Sequence, residues 1–375
     1  MSERYARITG WGKYVPDKVL TNHDFEQFLD TNDEWITQRT GIKERRIRTE
    51  QDTNTSMSVA AAQDAMRVAG VTAQDLDFII VCTSSPDYLL PSQGSLVQAA
   101  LGAKCGAYQL VAGCSGWAYG AVMADSLIRA GMYQTVLVVG IDIVSFGLDY
   151  TDRTTCILFG DAAAATIHQV SDEPGGILAF ELGSDGDSAQ ALWVPGGGST
   201  KQFNQDVLDK REHYIRMNGR EVFKFASKTV AQSLKRVIAQ AGLLPDDIDL
   251  YIPHQANARI IEAGARLLRQ PTDKFYMNLQ KYGNTSAASV PLAMVEAIEE
   301  GRLKDGDKLA VVAFGAGLTW GAMVIQMGAG EISPAHSLFS LGRARYMAAR
   351  TRENVLDAAQ NAVIPILTWF KTMRR

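Results

Sequence analysis

The chain has 375 residues, of which 46% are hydrophobic and 21% charged, a composition typical of one large or two medium globular domains. Its net charge of −4 excludes an overall electrostatic footprint for a nucleic-acid partner. The sequence has no apolar run long enough for a membrane span and no signal-peptide core at its N-terminus, so we expect a cytoplasmic protein. Four cysteines without a CxxC pair favour neither a disulfide framework nor a metal site.

Two pairs of segments indicate an internal duplication. Residues 60–85 and 230–257 each read as a helix ending at glycine, a loop containing Asp, and an apolar strand, with matched positions 172 residues apart. Residues 107–131 and 274–301 each read as a short strand, a glycine and a small-residue helix, and Cys114 and Asn284 both lie 17 residues before a terminal glycine. The pattern predicts an α/β fold of two similar layered halves.

The apolar runs at 135–144 and 308–317 predict strands that are buried on both faces. We therefore predict an N-terminal half at residues 1–172, a C-terminal half at residues 173–330, and an extension at residues 331–375. The alternative is chance similarity between ordinary αβ segments, which the agreement of spacings in two places disfavours.

Cys114, in VAGCSGWAYG, is the strongest candidate for chemistry. Flanking glycines permit a sharp turn between strand and helix, and the positive end of a helix dipole favours the thiolate. The Cys114 N–H can also serve as an oxyanion donor. The alternative, a buried structural cysteine, is the favoured interpretation of Cys82, Cys105 and Cys156.

His254 and Asn284 are the other candidates. His254 follows the apolar strand of DLYIPHQAN, where a side chain can reach a cleft, although a structural histidine is an equally good interpretation. Asn284 in KYGNTSAAS is equivalent to Cys114 in the repeat, but asparagine is also a common helix cap. The segment 314–321, FGAGLTWG, lacks the lysine of a phosphate loop and predicts a tight turn with exposed N–H groups.

Several long motifs, in order along residues 1–329, closely resemble the β-ketoacyl-acyl carrier protein synthase III family. The matching segments are TNDEWITQRTGIKERR (31–46), the Cys114 segment, DYTDRTTCILFGDAAAA (149–165), NGREVFKFA (218–226), PHQAN (253–257), YGNTSAASVP (282–291) and FGAGLTWG (314–321). The resemblance implies a thiolase-like fold, with duplicated halves in a five-layered α-β-α-β-α arrangement, and a homodimer.

The resemblance also implies a reaction. The Cys114 thiolate attacks an acyl-CoA thioester, and the acyl-enzyme then condenses with malonyl-acyl carrier protein, which loses CO2, to give a 3-oxoacyl-carrier protein that initiates fatty-acid synthesis. His254 and Asn284 are the expected donors to the enolate, and the N–H groups of Cys114 and Ala316 form the expected oxyanion hole. Ala316 stands where many relatives carry glycine. Acyl-CoA is a substrate here, so no cofactor is implied.

The resemblance also implies roles for further residues, position by position. Trp35 and Arg39 are expected to sandwich the CoA adenine with Arg153 nearby, and Gly219 and Asn257 to line the pantetheine channel, where Arg220 replaces the relatives' Asn. Phe314 is expected behind the sulfur. The loop at 83–92 of a partner subunit is expected to close the acyl pocket with Leu90, where relatives restricted to short primers carry Phe. The expected carrier-protein patch consists of Lys224, Arg259, Arg266 and Arg269; a solvated helix face is the alternative for it.

Other functions fit less well. A condensing or acyl-transfer enzyme of secondary metabolism with the same fold stays open. A biosynthetic thiolase needs a second cysteine where Ala316 stands, a hydroxymethylglutaryl-type synthase needs a glutamate near Cys114, and a papain-like hydrolase needs a different sequence around its cysteine. A carrier-binding pseudoenzyme is disfavoured because all three polar residues are present.

The extension at 331–375 is basic and predicts helical stretches at 338–352 and 353–373, the second interrupted by Pro365. Aromatic and basic residues in ILTWFKTMRR suggest a weak, salt-sensitive contact of 338–375 with an anionic membrane surface. The alternative is a helix packed on the catalytic part of the chain.

Overall fold

The computed structural model describes residues 4–328. Its strands are β1 (Tyr5–Tyr14), β2 (Val19–Thr21), β3 (Glu44–Arg46), β4 (Phe78–Cys82), β5 (Gly106–Leu110), β6 (Thr135–Asp142), β7 (Ala162–Ser171), β8 (Gly176–Ser184), β9 (Leu192–Trp193), β10 (Arg216–Met217), β11 (Leu250–Pro253), β12 (Lys308–Gly315) and β13 (Thr319–Gln326). Its α-helices are α1 (Asn22–Glu26), α2 (Asp33–Thr40), α3 (Asn54–Ala69), α4 (Gln93–Leu101), α5 (Gly116–Arg129), α6 (Gln205–Asp209), α7 (Gly219–Gln240), α8 (Ala258–Leu268), α9 (Leu279–Tyr282) and α10 (Ser289–Glu299).

The first sheet has the order β1-β7-β6-β4-β5. Strands β4, β5 and β6 are parallel, whereas β7 and β1 run antiparallel to their neighbours. Every residue of β6 is buried, because helices cover both faces of the sheet. The continuous apolar run predicted this central strand correctly.

The second sheet repeats this arrangement with the order β8-β13-β12-β11. Strand β11 is parallel to β12, and β13 and β8 are antiparallel, as in the order β1-β7-β6-β4 of the first sheet. The two sheets therefore have equivalent topologies, which is consistent with the duplicated halves that the spacings predict.

One predicted strand is absent. The segment at 274–278 is the counterpart of β5, but it makes only an isolated parallel bridge between Phe275 and Tyr251. A turn of 3₁₀-helix occupies Thr272–Lys274 and α9 begins at Leu279. The pairing with β11 does not extend beyond this bridge.

Helices α5 and α10 form the middle layer between the sheets. Trp117 and Ala121 of α5 and Met294 of α10 share one buried cluster with Ile80 of the first sheet and Val311 of the second. Helices α3 and α4 pack on the outer face of the first sheet, and α7 and α8 on the outer face of the second. The predicted five-layered α-β-α-β-α arrangement is confirmed.

The predicted boundary between residues 172 and 173 falls in the connection between β7 and β8 and stays a prediction. The extension at 331–375, with its predicted helices at 338–352 and 353–373, lies outside the described residues. Within residues 4–328, no helix is both long and apolar enough to cross a membrane.

Candidate active site

Two cavities meet at Cys114. The front cavity has a volume of about 500 Å³, and its lining includes Cys114, His254, Asn284 and Phe314. The rear cavity has a volume of about 510 Å³, and its lining includes Cys114, Asp142, Ser286 and Ala316. The structure thus brings the three predicted polar residues to one cavity, although they are separated by up to 170 residues of sequence.

Cys114 lies in a turn of 3₁₀-helix, Gly113–Ser115, that leads directly into α5. The turn packs tightly against the connection between β12 and β13. A Cβ atom added to Gly315 would lie only 2.4 Å from the Cys114 nitrogen. Gly113 has a φ of +53°, in the left-handed region that glycine tolerates best. These two glycines permit the close contact between the Cys114 turn and the glycine-rich turn.

The Cys114 thiol is 7% exposed, and burial raises its pKa to about 12, against hydrogen bonds from the side chains of Ser286 and Asn284 that lower it. The expectation that the helix N-terminus favours the thiolate stays a prediction. Removing the charged form from water outweighs the hydrogen bonds of the nearby donors. The thiol proton must leave as the sulfur attacks.

His254 follows β11, and its backbone N–H donates to Val312 O at 2.7 Å. Its Nδ1 atom contacts the hydroxyl of Ser289, the first residue of α10. Because that hydroxyl also accepts the Gln255 N–H at 3.5 Å, its proton can be donated to Nδ1. When the hydroxyl donates to Nδ1, the ring proton lies on Nε2.

Burial also lowers the pKa of His254 to about 3. The imidazole is consequently neutral at physiological pH, which suits a hydrogen-bond donor that carries no charge. The ring packs edge-on against Phe314, with ring centroids 5.0 Å apart. Phe314 therefore fixes the plane of the imidazole as well as lining the front cavity.

Asn284 is held by its backbone and by one side-chain bond. Its N–H donates to Leu158 O at 2.8 Å, and its C=O accepts from Gly160 N–H at 3.0 Å. Its Oδ1 atom accepts the Ser286 N–H at 2.9 Å, although Thr285 is the N-cap residue of the following 3₁₀-helix. With Oδ1 engaged, the Nδ2 group is the part of the amide that can donate to the Cys114 sulfur.

The two expected oxyanion donors lie on turns that contact each other. A Cβ atom on Gly113 would approach the Ala316 nitrogen to 2.8 Å. The Thr319 hydroxyl lies 2.8 Å from Ala112 O and 3.0 Å from Ala316 O, so it links the turns. Among residues 4–328, Ala316 is not one of the non-glycine residues with positive φ, and the backbone therefore tolerates alanine here.

Most of the predicted CoA-binding residues line the front cavity: Trp35, Arg39, Gly219 and Asn257. Arg153 does not line it; its guanidinium pairs with Asp30 at 3.1 Å and lies 5.4 Å from the Trp35 ring centroid. Arg39 lies directly over Trp35, at 4.8 Å from the centroid. The two side chains are too close to hold a purine between them as they stand.

Asn257 has a structural contact of its own. Its Oδ1 atom accepts the Arg259 N–H at 2.9 Å, which caps α8, and its Nδ2 group donates to Arg39 O at 3.0 Å. Asn257 thereby joins α2 to α8 at the edge of the front cavity, and Arg220 and Arg259 lie in the same lining. No carboxylate lines this cavity in the described chain, so its charged groups are all arginines.

The remaining predicted residues are at the surface. Leu90 is 86% exposed and lines neither cavity of its own chain. The four residues of the predicted carrier-protein patch are exposed on α7 and α8 or immediately after α8: Lys224, Arg259, Arg266 and Arg269. Within residues 4–328, no group of three or more His, Cys, Asp or Glu residues is arranged to hold a metal ion.

Four residues of the site were not predicted from the sequence: Asp142, Ser286, Ser289 and Thr319. Asp142 could have been noticed, because a carboxylate ends the otherwise apolar strand TVLVVGID. Ser286 and Ser289 lie in a segment rich in hydroxyl residues, where no single one stands out. The contacts of Ser289 with His254 and of Thr319 with Ala112 join residues that are far apart in the sequence.

Two family descriptions match the chain: 3-oxoacyl-(acyl-carrier-protein (ACP)) synthase III over residues 108–186, and the C-terminal part of the same family over residues 238–327. The beta-ketoacyl-(acyl-carrier-protein) synthase III of Symbiobacterium thermophilum is 46% identical over 329 residues, covering 88% of this chain and all of that protein. The corresponding protein of Caldanaerobacter subterraneus is 47% identical, covering 86% of this chain and 97% of that protein.

A solved structure gives the same result. The crystal structure of 3-oxoacyl-(acyl-carrier-protein) synthase III from Aquifex aeolicus is 44% identical, covers 86% of this chain and 99% of that chain, and superposes with a TM-score of 0.80. These matches confirm the predicted family, the thiolase-like fold and the acyltransferase class. The chain therefore belongs to the 3-oxoacyl-(acyl-carrier-protein) synthase III family, whose members are acyltransferases that condense an acyl-CoA with malonyl-acyl carrier protein and so initiate fatty-acid synthesis.

Proposed function

We propose that Cys114, His254 and Asn284 carry out this condensation in two steps, acyl transfer and decarboxylative condensation. The observation that carries the proposal is that all three side chains line the front cavity. In the first step, the Cys114 sulfur attacks the thioester carbonyl of an acyl-CoA. The N–H groups of Cys114 and Ala316 stabilise the oxyanion, and the CoA thiolate leaves with the thiol proton.

In the second step, malonyl-acyl carrier protein replaces CoA and its malonyl group loses CO2. Negative charge moves to the thioester oxygen, where His254 Nε2–H and Asn284 Nδ2–H donate hydrogen bonds. The resulting carbanion attacks the acyl group on Cys114, and the tetrahedral intermediate expels the Cys114 thiolate. Two neutral donors suit this step, because the low pKa of His254 keeps the imidazole uncharged.

The front cavity is the proposed path for CoA and for the carrier protein's pantetheine arm. Its three arginines without a carboxylate suit the phosphates of CoA, and the Arg39 side chain must swing away from Trp35 to admit the adenine. The exposed cations Lys224, Arg266 and Arg269 around Arg259 suit an acidic carrier protein.

We also propose that the enzyme is a homodimer in which Leu90 acts in the partner's acyl pocket. Leu89 and Leu90 are 85% and 86% exposed, and Tyr88, Val111 and Phe146 are other large apolar side chains that are more than half exposed. Such a surface favours an interface. The rear cavity would then hold the acyl chain.

The cytoplasmic location of the protein stays a prediction.

The first prediction concerns the primer. Malonyl-acyl carrier protein is incubated with acyl-CoAs from two to about twelve carbons, and 3-oxoacyl-carrier protein is measured by mass spectrometry. We expect product from acetyl-CoA and from longer primers, because the rear cavity is about 510 Å³ and Leu90 is smaller than Phe. L90F should reduce the rate with long primers about tenfold or more and leave acetyl-CoA almost unchanged.

The proposed condensation and the predicted primer range can be contradicted independently of each other. No condensation product with any primer contradicts the function. Condensation with a steep preference for acetyl-CoA in the unmodified enzyme contradicts only the predicted primer range.

A further inference from the structure

Asp142 is a buried carboxylate between the two halves of the molecule, and the mechanism above does not use it. It ends β6 and is 1% exposed. Its Oδ1 atom accepts the Ser84 N–H and the Ser85 hydroxyl, both at 2.8 Å, and the Thr83 hydroxyl at 3.0 Å. These three donors lie just after β4, so one end of the carboxylate is fixed by the N-terminal half.

The other carboxylate oxygen reaches the C-terminal half. Oδ2 accepts the Ala287 N–H at 3.2 Å, and hydrogen bonding by the Ser286 side chain lowers the pKa of the carboxyl. Its partners are thus hydroxyl and N–H groups rather than cations. An ionised carboxylate can only accept, which makes it suited to a point where these four donors converge.

The segment 284–287, here called the Asn284 turn, carries two groups that face Cys114. Ser286 has a φ of +52°, an unusual backbone conformation for a residue with a side chain. Its N–H donates to Oδ1 of Asn284. Ser286 lines the rear cavity together with Cys114 and Asp142, and hydrogen bonding by its side chain lowers the pKa of both groups. The hydrogen bonds to Asp142 therefore affect the positions of both the Asn284 amide and the Ser286 hydroxyl.

We infer that Asp142 is a positioning residue for the condensation: it holds the Asn284 turn so that the Ser286 hydroxyl faces the Cys114 sulfur and the Asn284 amide faces the front cavity. This inference rests on the proposed function. The hydroxyl of Ser286 has one proton, which it donates to the carboxylate while Cys114 is a thiol. When the thiol proton has left, the same hydroxyl can donate to the sulfur.

The test uses D142N and S286A and measures the two steps separately. Asparagine is isosteric, and its one oxygen is expected to stay with the three donors that follow β4. Its NH2 group then faces the Ala287 N–H, so the Asn284 turn loses its anchor. We expect D142N to slow both acylation of Cys114 by acetyl-CoA and decarboxylation of malonyl-acyl carrier protein by about tenfold to a hundredfold, with the KM values little changed. S286A keeps its backbone N–H on Asn284 and should slow acylation while leaving decarboxylation within about threefold.

D52N is the matched control. Asp52 is also buried and accepts three hydrogen bonds, from the Tyr14 hydroxyl at 2.7 Å and from the Thr49 N–H and hydroxyl at 2.8 Å. It lines neither cavity. D52N should lose stability as D142N does but keep both rates within about threefold.

A double variant distinguishes positioning from general destabilisation. If Asp142 acts through Asn284, D142N should cause little further loss of decarboxylation in an N284A background. Additive losses contradict the inference, as does a D142N enzyme with near wild-type rates while N284A is impaired. If D142N does not fold, an S286A enzyme with unchanged acylation overturns the inference. If N284A itself decarboxylates normally, the proposed function fails instead.

Discussion

Individual buried side chains decide the electrostatics of this site. Burial raises the pKa of the Cys114 thiol and lowers that of the His254 imidazole, so the site contains two neutral groups rather than an ion pair. Asp142 is a buried carboxylate near the sulfur; burial raises its pKa, and hydrogen bonds from the surrounding donors lower it. Neutral donors stabilise an enolate without first losing the hydration of a charge.

The same physics predicts how stability depends on pH. His168 is fully buried, and burial lowers its pKa to about 4; its Nε2 atom contacts the Thr166 hydroxyl at 3.0 Å. In the unfolded chain this histidine binds a proton below about pH 6.5, whereas in the folded chain it stays neutral until about pH 4. The free energy of unfolding therefore falls as the pH decreases through this window, by about 1.4 kcal/mol per pH unit for each such histidine.

H168Q should remove this contribution. The free energy of unfolding is measured by denaturant unfolding at several pH values between about 6.5 and 5. It should decrease less steeply with falling pH for H168Q than for the unmodified protein. H23Q is the control, because His23 is largely exposed on α1. Equal slopes for H168Q and the unmodified protein would show that His168 is not held neutral by burial.

Turns rather than helices or strands place the reacting groups. The Cys114 turn follows β5, the Asn284 turn follows α9, and the third turn connects β12 to β13. All three contribute residues to the linings of the two cavities that meet at Cys114. Close backbone contact needs glycine at Gly315, where an added Cβ would lie 2.4 Å from the Cys114 nitrogen. The geometry of the oxyanion hole therefore depends on the absence of one side chain.

G315A tests this dependence. We expect the rate of acylation by acetyl-CoA to fall about a hundredfold, because the methyl group pushes the Cys114 N–H away from the oxyanion position. G198A is the control, since a Cβ at Gly198 meets no heavy atom within 4 Å. Near wild-type acylation by a folded G315A protein would contradict the placement of the oxyanion hole.

The sequence predicts the helices and strands more completely than it predicts the contacts between them. The repeated spacings predict both sheets and the equivalence of Cys114 with Asn284, because each half must bury its own apolar strands. They do not show that the counterpart of β5 makes only one bridge, between Phe275 and Tyr251, since this pairing depends on how the segment packs. The pKa of Cys114 and the contacts of Asp142 also escape prediction, because both arise from the packing of one half on the other.

At the scale of the whole molecule, the duplication creates the site. The N-terminal half supplies Cys114 and Asp142, and the C-terminal half supplies His254, Asn284 and Ala316. Helices α5 and α10, which begin beside Cys114 and Asn284, pack together between the sheets. The layers therefore set the distance between nucleophile and donors, and neither half has a complete site.

The central claim is that Cys114 accepts the acyl group while His254 and Asn284 serve the second step. The most direct measurement is intact-protein mass spectrometry after acetyl-CoA is added and again after malonyl-acyl carrier protein is added. H254A and N284A should acquire one acetyl group and keep it, the unmodified enzyme should acquire and then lose it to product, and C114A should never acquire it. Loss of the acetyl group from N284A to 3-oxoacyl product at a near wild-type rate would contradict the account.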